Sequence, residues 1–408
     1  MKRFLIAAAC ALVLAPAAQA RDADVRFSTF NASLNRSQPG ELVANLFDPT
    51  LTTVQVRQAK NVAEVIQRIR PDVLLINEFD FAPAAVDLFR DNFLEMSQNG
   101  AAPIEYPYAF IAPSNTGIAT GFDLNNNGVA VTTPGAPGYG DDSFGFGAFP
   151  GQFGLVVYSK YPIDYSAIRT FQLFRWKDMP GNLIPQPFYS PEEVAILRLS
   201  SKSHWDVPID LGEKTVHFLV SHPTPPVFDG PEDRNGRRNF DEIRFWADYI
   251  TPGRSGYIYD DAGARGGLKP GELFVIAGDE NSDPLDGDSI PGSIQQLTEN
   301  PLINTKVTPE SLGAVEASTL QDAANLTHRS DPRFDTADFA DTAPGNLHAD
   351  YVLPRINMKI VGSGVFWPLQ SDPLFRLTGV FDFAWIAVGG FPTSDHRAVW
   401  VDLAVPAT

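Results

Sequence analysis

Cysteine is almost missing from these 408 residues: the only one is Cys10. A mature chain without it holds no disulfide, no cysteine nucleophile and no thiolate metal site. Stability must then come from a large core, or from a metal ion that ties loops together. Long apolar runs are also lacking. Residues 4–14 are too few to span a bilayer, and no later stretch is long and apolar enough. Positive charge is scarce, with 31 Lys+Arg against 49 Asp+Glu and a net charge of −18. Such a surface disfavours loose electrostatic adhesion to nucleic acid or anionic lipid. It does not exclude a nuclease, because bound divalent cations offset acidic residues locally.

What is present begins with "MKRFLIAAACALVLAPAAQA". Lys2 and Arg3 form a basic start, an apolar run follows, and Ala18-Gln19-Ala20 has the small-x-small form of a cleavage site. The expectation is a signal peptide over 1–20 and export to periplasm or medium. Removing Lys2 and Arg3 leaves 29 basic residues and a charge of −20. Residues 21–408 show no repeat of 20–50 residues and no linker, so a single domain and a monomer are expected. A stretch rich in Gly, Asn, Pro and Thr, at about 113–154, reads as an irregular insertion.

Periodicity places the elements. Residues 25–34 read as a strand running into a loop. Val56, Ala59, Val62, Ala63, Ile66 and Ile69 keep helical spacing, and Pro71 ends that helix. Residues 73–76 form a continuous apolar strand, buried on both faces. "FGLVVYSKYPI" is a strand ending in a turn. "EVAILRLSSKSHWDVPIDL" and "KTVHFLVSHPTPP" read as two neighbouring strands. Phe240, Ile243, Phe245 or Trp246, and Ile250 mark a helix. "ELFVIAGDENSDP", "ADYVLP" and "SDHRAVWVDL" carry the remaining strands. The expected class is α/β (α+β): a four-layer α/β sandwich of two packed, mostly antiparallel or mixed β-sheets flanked by helices.

Polar residues gather at the ends of these strands: Asn31, Glu78, His222, Asp279, Asn281, Asp350, Asp395 and His396. Each alone is ordinary, since Asn and Asp after a strand usually form turns. Jointly they make coherent chemistry, because ligands and catalytic groups collect where loops overlie strand ends. Glu78, with Asn31 and Asp395, offers hard oxygen ligands for a cation such as Mg²⁺ or Mn²⁺. Asp279 suits the orientation of a water, and Asn281 a phosphate oxygen. The two histidines suit a negatively charged transition state, with Asp350 as the carboxylate that orients His396.

In "STFNASL", "PDVLLINEFD", "FLVSHPTPP", "VIAGDENSDP", "ADYVLP" and "TSDHRAV" the chain resembles the endonuclease/exonuclease/phosphatase superfamily. The six segments come in the superfamily's order and cover nearly the whole mature chain. "GD-x-N" or "SDH" alone would be weak. The resemblance implies that Glu78 is the principal metal ligand, with Asn31 and Asp395 binding metal or positioning water. It implies that Asp279 orients the nucleophilic water, Asn281 contacts phosphate, and His396 pairs with Asp350. His222 stands where some members have His and others Tyr. "INEFD" departs from the many members with Gln before the Glu. The insertion at 113–154 is not a common feature and leaves the substrate class open.

Two further signals stand apart. Arg234, Arg237, Arg238 and Arg244 cluster in an otherwise acidic chain. Arg237 and Arg238 are candidates to grip phosphate, unless they pair with nearby carboxylates at a helix start. "DLNNNG" matches the first half of a calcium loop: Asp123, Asn125 and Asn127 would present oxygens around Ca²⁺, with Gly128 at the turn. The closing Glu is absent, since Pro134 holds the twelfth position, and Asp141 or Asp142 would have to substitute. The expected function is an exported phosphoesterase that hydrolyses a phosphodiester or phosphomonoester by in-line water attack, an extracellular nuclease being one form. A phosphatase or phospholipase-like enzyme on small phosphates or lipid headgroups is the alternative. A surface-binding protein that keeps the fold without catalysis is the third.

Overall fold

The computed structural model describes residues 23–405, so the expected signal peptide lies outside the described residues. Among the described residues, thirteen strands occur in chain order. They are β1 (Ala23–Asn31), β2 (Val73–Asn77), β3 (Tyr108–Phe110), β4 (Leu155–Ser159), β5 (Arg169–Thr170), β6 (Trp205–Asp210) and β7 (Thr215–Ser221). After these come β8 (Leu273–Asp279), β9 (Ala337–Asp338), β10 (Asn346–Leu347), β11 (Asp350–Pro354), β12 (Lys359–Val365) and β13 (Val399–Val405). One sheet has the order β12-β13-β1-β2-β4-β3, a second β11-β8-β7-β6-β5, and β9 and β10 form a small ribbon. Each large sheet is mixed. β1 runs parallel to β2, β7 runs parallel to β8, and the other pairs are antiparallel.

Alternation along the strands builds the layers. In β1, Val25 and Phe27 enter the core between the sheets, while Phe30 joins the helix-side core. In β2, Val73 and Leu75 face the opposite sheet, and Leu74 and Ile76 face the helix Val54–Ile69. In β8, Val275 and Ala277 point inward, and Phe274 and Ile276 pack under the helix Arg234–Ile250. The result is helices, sheet, sheet, helices, with both faces of each sheet covered.

One expected strand is in part a helix. Within "EVAILRLSSKSHWDVPIDL" only the second half is β6; Pro191–Ile196 is helical. Ser190 accepts from the Glu193 amide and Glu193 reaches back to the Ser190 amide, a capping box with Pro at the first position. The segment 113–154 contains no strand or helix of its own. It folds onto the loop before β6 through Asn115, whose side chain donates to the Gln172 and Ser200 carbonyls and accepts from Arg198.

Candidate active site

The site forms where strands of both sheets end on the same side. β1 ends at Asn31 beside Asn77 of β2, and Glu78 follows. β7 ends at Ser221 beside Gly278 of β8, so His222 and Asp279 emerge together. β11 runs antiparallel to β8 and begins at Asp350, directly opposite Asp279. β13 runs antiparallel to β1, which brings the preceding Asp395 and His396 to the same edge. Asn77 ties the two sheets there: its amide donates to the Ser221 carbonyl at 3.2 Å and accepts from Thr29 at 3.0 Å.

Asp279 is the hub. Its Oδ2 accepts from Asn31 Nδ2 at 3.0 Å and lies 3.3 Å from His222 Nε2 and 3.5 Å from His396 Nε2. Asn31 Nδ2 also donates to Glu78 Oε1 at 3.1 Å. The Asp279 Oδ1 atom accepts from the Asn281 amide at 2.9 Å, and the Asn281 side chain donates to the Pro223 carbonyl at 3.2 Å. His396 Nδ1 donates to Asp350 Oδ2 at 2.9 Å, which fixes the ring so that Nε2 faces Asp279. Thr336 donates to the same oxygen at 2.9 Å, and Phe339 meets the His396 ring edge-on at 5.3 Å.

These contacts set the charges. Burial favours a neutral Asp279, but His396 and His222 outweigh it and hold the carboxyl below the ordinary carboxylate range. Burial also opposes charge on His396, yet Asp350 and Asp279 raise its imidazole well above an ordinary histidine. His222 goes the other way: burial, and then the nearby Lys202 charge, push it down to about 4. The same burial thus leaves the two imidazoles shifted in opposite directions, because their charged neighbours differ in sign. Burial, followed by the neighbouring Asp395 carboxylate, pushes Glu78 up to about 7. Glu78 and Asn281 are both held at positive φ, 60° and 50°, a backbone setting that is uncommon outside glycine and often found at functional sites.

Donor atoms from Asp279, Asp350 and His396 all lie within 4.8 Å of one another and could hold a metal ion. Glu78 and Asp395 line the same cleft and repel each other, a strain that a divalent cation between them would relieve. Hard oxygens with one amide suit Mg²⁺ or Mn²⁺ rather than a thiophilic metal.

The cleft has a volume of about 720 Å³, and Glu78, His222, Asp279, Asn281, Asp395 and His396 line it. A second lobe of about 540 Å³ opens past Glu78 and His222. Its walls include Leu124, Phe146 and Phe153 from the 113–154 insertion, with Trp176 and Tyr189. Phe228, 89% exposed, stands at the junction of the two.

Other expected residues lie elsewhere. Arg238 borders the second lobe, but its guanidinium donates to the Leu199, Phe144 and Arg198 carbonyls. Arg237 donates to the Glu232 carbonyl. In the 123–128 loop, Asp123 accepts from the Asn127 and Gly128 amides, and Asn125 from the Asn127 amide. Asp142 is buried and accepts from the Leu124 and Val131 amides, tying the insertion together. Two residues of the site had no sequence signal, Thr336 and Lys202, while Asn77 showed only as the residue before Glu78 in "INEFD". Lys202 belongs to no motif, and only the fold carries it to the wall shared with Glu78 and His222.

A sequence profile described as the Endonuclease/Exonuclease/phosphatase family matches residues 54–396, and the chain belongs to that family. Members of the family hydrolyse phosphoester bonds. Among solved structures, an endonuclease/exonuclease/phosphatase from Beutenbergia cavernae aligns with 95% of this chain and 72% of its own, at 17% identity and a TM-score of 0.47. A family protein from Leptotrichia buccalis aligns over 93% and 100%, at 13% identity and a TM-score of 0.46. The beta toxin of Staphylococcus aureus aligns over 93% and 99%, at 13% identity and a TM-score of 0.43. No curated protein matches the chain.

Proposed function

We propose that this chain is an exported, divalent-metal-dependent phosphoesterase. The observation that carries the reading is the Asp279 carboxylate, held between the His222 and His396 imidazoles and joined through Asn31 to Glu78. Glu78, with Asn31 and Asp395, would hold Mg²⁺ or Mn²⁺. When bound, such a cation neutralises phosphate charge and stabilises the departing oxygen. The chain's own residues do the rest. Asp279 accepts a hydrogen bond from the attacking water, aims its lone pair at phosphorus and takes up the proton that the water loses as it bonds. The water oxygen bonds to phosphorus as the opposite ester bond breaks. His396, protonated and braced by Asp350, supplies positive charge and a proton toward the developing oxyanion. His222 and Asn281 hold the equatorial oxygens.

The lining of the cleft bears on the substrate class. Extracellular nucleic acid is one candidate phosphodiester. The largely apolar lining of both lobes and the exposed Phe228 favour the other reading, an ester with an apolar group such as a lipid headgroup substrate. The test uses mature protein stripped with EDTA, then given Mg²⁺, Mn²⁺ or Ca²⁺. Plasmid DNA, RNA, an aryl phosphodiester, inositol phosphates and sphingomyelin are assayed in parallel. Metal-restored hydrolysis of at least one is expected. No hydrolysis with any metal would leave a binding protein that keeps the fold.

A further inference from the structure

We propose that Lys202 is a catalytic residue whose ammonium binds a non-bridging oxygen of the substrate phosphate. The inference rests on the phosphoesterase reading and adds a group to it. Lys202 lines the second lobe together with Glu78 and His222, and it is only 7% exposed. Its Nζ has one hydrogen bond, a long one of 3.4 Å to the Pro223 carbonyl. An ammonium has three donors, so most of its capacity is unspent. Among the described residues no carboxylate lies within 4.0 Å of it to form an ion pair.

Burying a cation without an ion pair is costly, and a methionine of similar length would pack at lower cost. The surroundings nevertheless fix this lysine. Glu242 accepts from the Ser201 amide at 2.6 Å through one oxygen and from the Thr224 amide at 2.6 Å through the other. One buried carboxylate therefore clamps the residue before Lys202 to the loop that follows His222. The Asn115 amide donates to the Lys202 carbonyl at 2.8 Å, so the insertion holds it from the other side. A desolvated, under-bonded cation on a backbone held from both sides, sharing a wall with Glu78 and His222, suits a phosphate oxygen whose charge grows in the transition state. It approaches from the second-lobe wall, while Asp395 and His396 stand on the other side of the shared Glu78–His222 boundary.

The experiment compares Lys202→Met and Lys202→Arg with the parent in three measurements: melting temperature, Mg²⁺-supported hydrolysis of bis(4-nitrophenyl) phosphate, and calorimetric titration with inorganic phosphate. Lys202→Met is expected to melt at or above the parent temperature, to lose about 100-fold or more in kcat with a smaller change in KM, and to bind phosphate about tenfold more weakly. Lys202→Arg should recover part of both losses. The proposal is overturned if Lys202→Met turns over the ester and binds phosphate like the parent. It is also overturned if both variants lose stability along with activity, the mark of a structural role. A parent that hydrolyses no phosphate ester removes the phosphoesterase reading. Phosphate affinity then decides for Lys202, and equal binding by parent and Lys202→Met overturns its role.

Discussion

His396 shows how a single side chain acquires a function from its surroundings. Its Nδ1 is committed to Asp350, its Nε2 faces Asp279, and both carboxylates raise its affinity for a proton. In the proposed mechanism, replacing it with alanine removes the positive charge and the proton donor while leaving the backbone free to fold. His396→Ala is therefore expected to lower kcat by about 10²–10⁴-fold with an unchanged circular dichroism spectrum. Undiminished turnover would remove His396 from the chemistry. The eight polar strand-end residues were legible in the sequence because each lies at an end of a recognisable apolar strand: Asn31, Glu78, His222, Asp279 and Asn281 where one finishes, and Asp350, Asp395 and His396 where one starts. Thr336 and Lys202 were not. Their signal is burial and long-range pairing, which local pattern does not contain.

Among the elements, the strands on either side of the site were readable from alternation, and the helices Val54–Ile69 and Arg234–Ile250 from their spacing. The helix Pro191–Ile196 was missed, although Ser190-Pro191 with Glu193 is a start signal. Its six residues are too few to show a period beside the apolar run that continues into β6. Ser190→Ala should cost about 1 kcal/mol in denaturant unfolding and leave hydrolysis intact. The far end of β7 offers a second test. His217 Nδ1 lies 2.7 Å from Asp206, which also accepts from Tyr249, and Glu272 is 4.0 Å from Nε2. Burial alone would lower His217, but Asp206 and then Glu272 raise it above its ordinary value. A raised histidine contributes stability that is complete below its unfolded pKa of about 6.5 and fades as pH rises through the folded value. The melting-temperature gap between the parent and His217→Gln should be wide at pH 6 and narrow at pH 9. A gap independent of pH would show that the charge contributes nothing.

At the scale of the whole molecule, a strongly acidic chain concentrates carboxylates around one cleft without the cysteines that could staple it. The four-layer order was legible because apolar strands and spaced helices alternate along the sequence. How the 113–154 insertion lies was not, since its contacts run through Asn115 and Asp142 to partners far along the chain or hidden within the loop. The insertion's apolar side chains reshape the cleft, so substrate selection should change on altering Phe146 or Phe153 while the metal requirement stays. The central claim is that Glu78 and its neighbours hold a cation that phosphoester hydrolysis requires. The most direct measurement is the initial rate of bis(4-nitrophenyl) phosphate hydrolysis against Mg²⁺ concentration, for EDTA-stripped parent and Glu78→Gln. The account predicts no rate without metal, saturation in the parent, and a requirement for about 10–100-fold more Mg²⁺ in Glu78→Gln. Equal rates with and without EDTA, or superimposable curves for the two proteins, would contradict it.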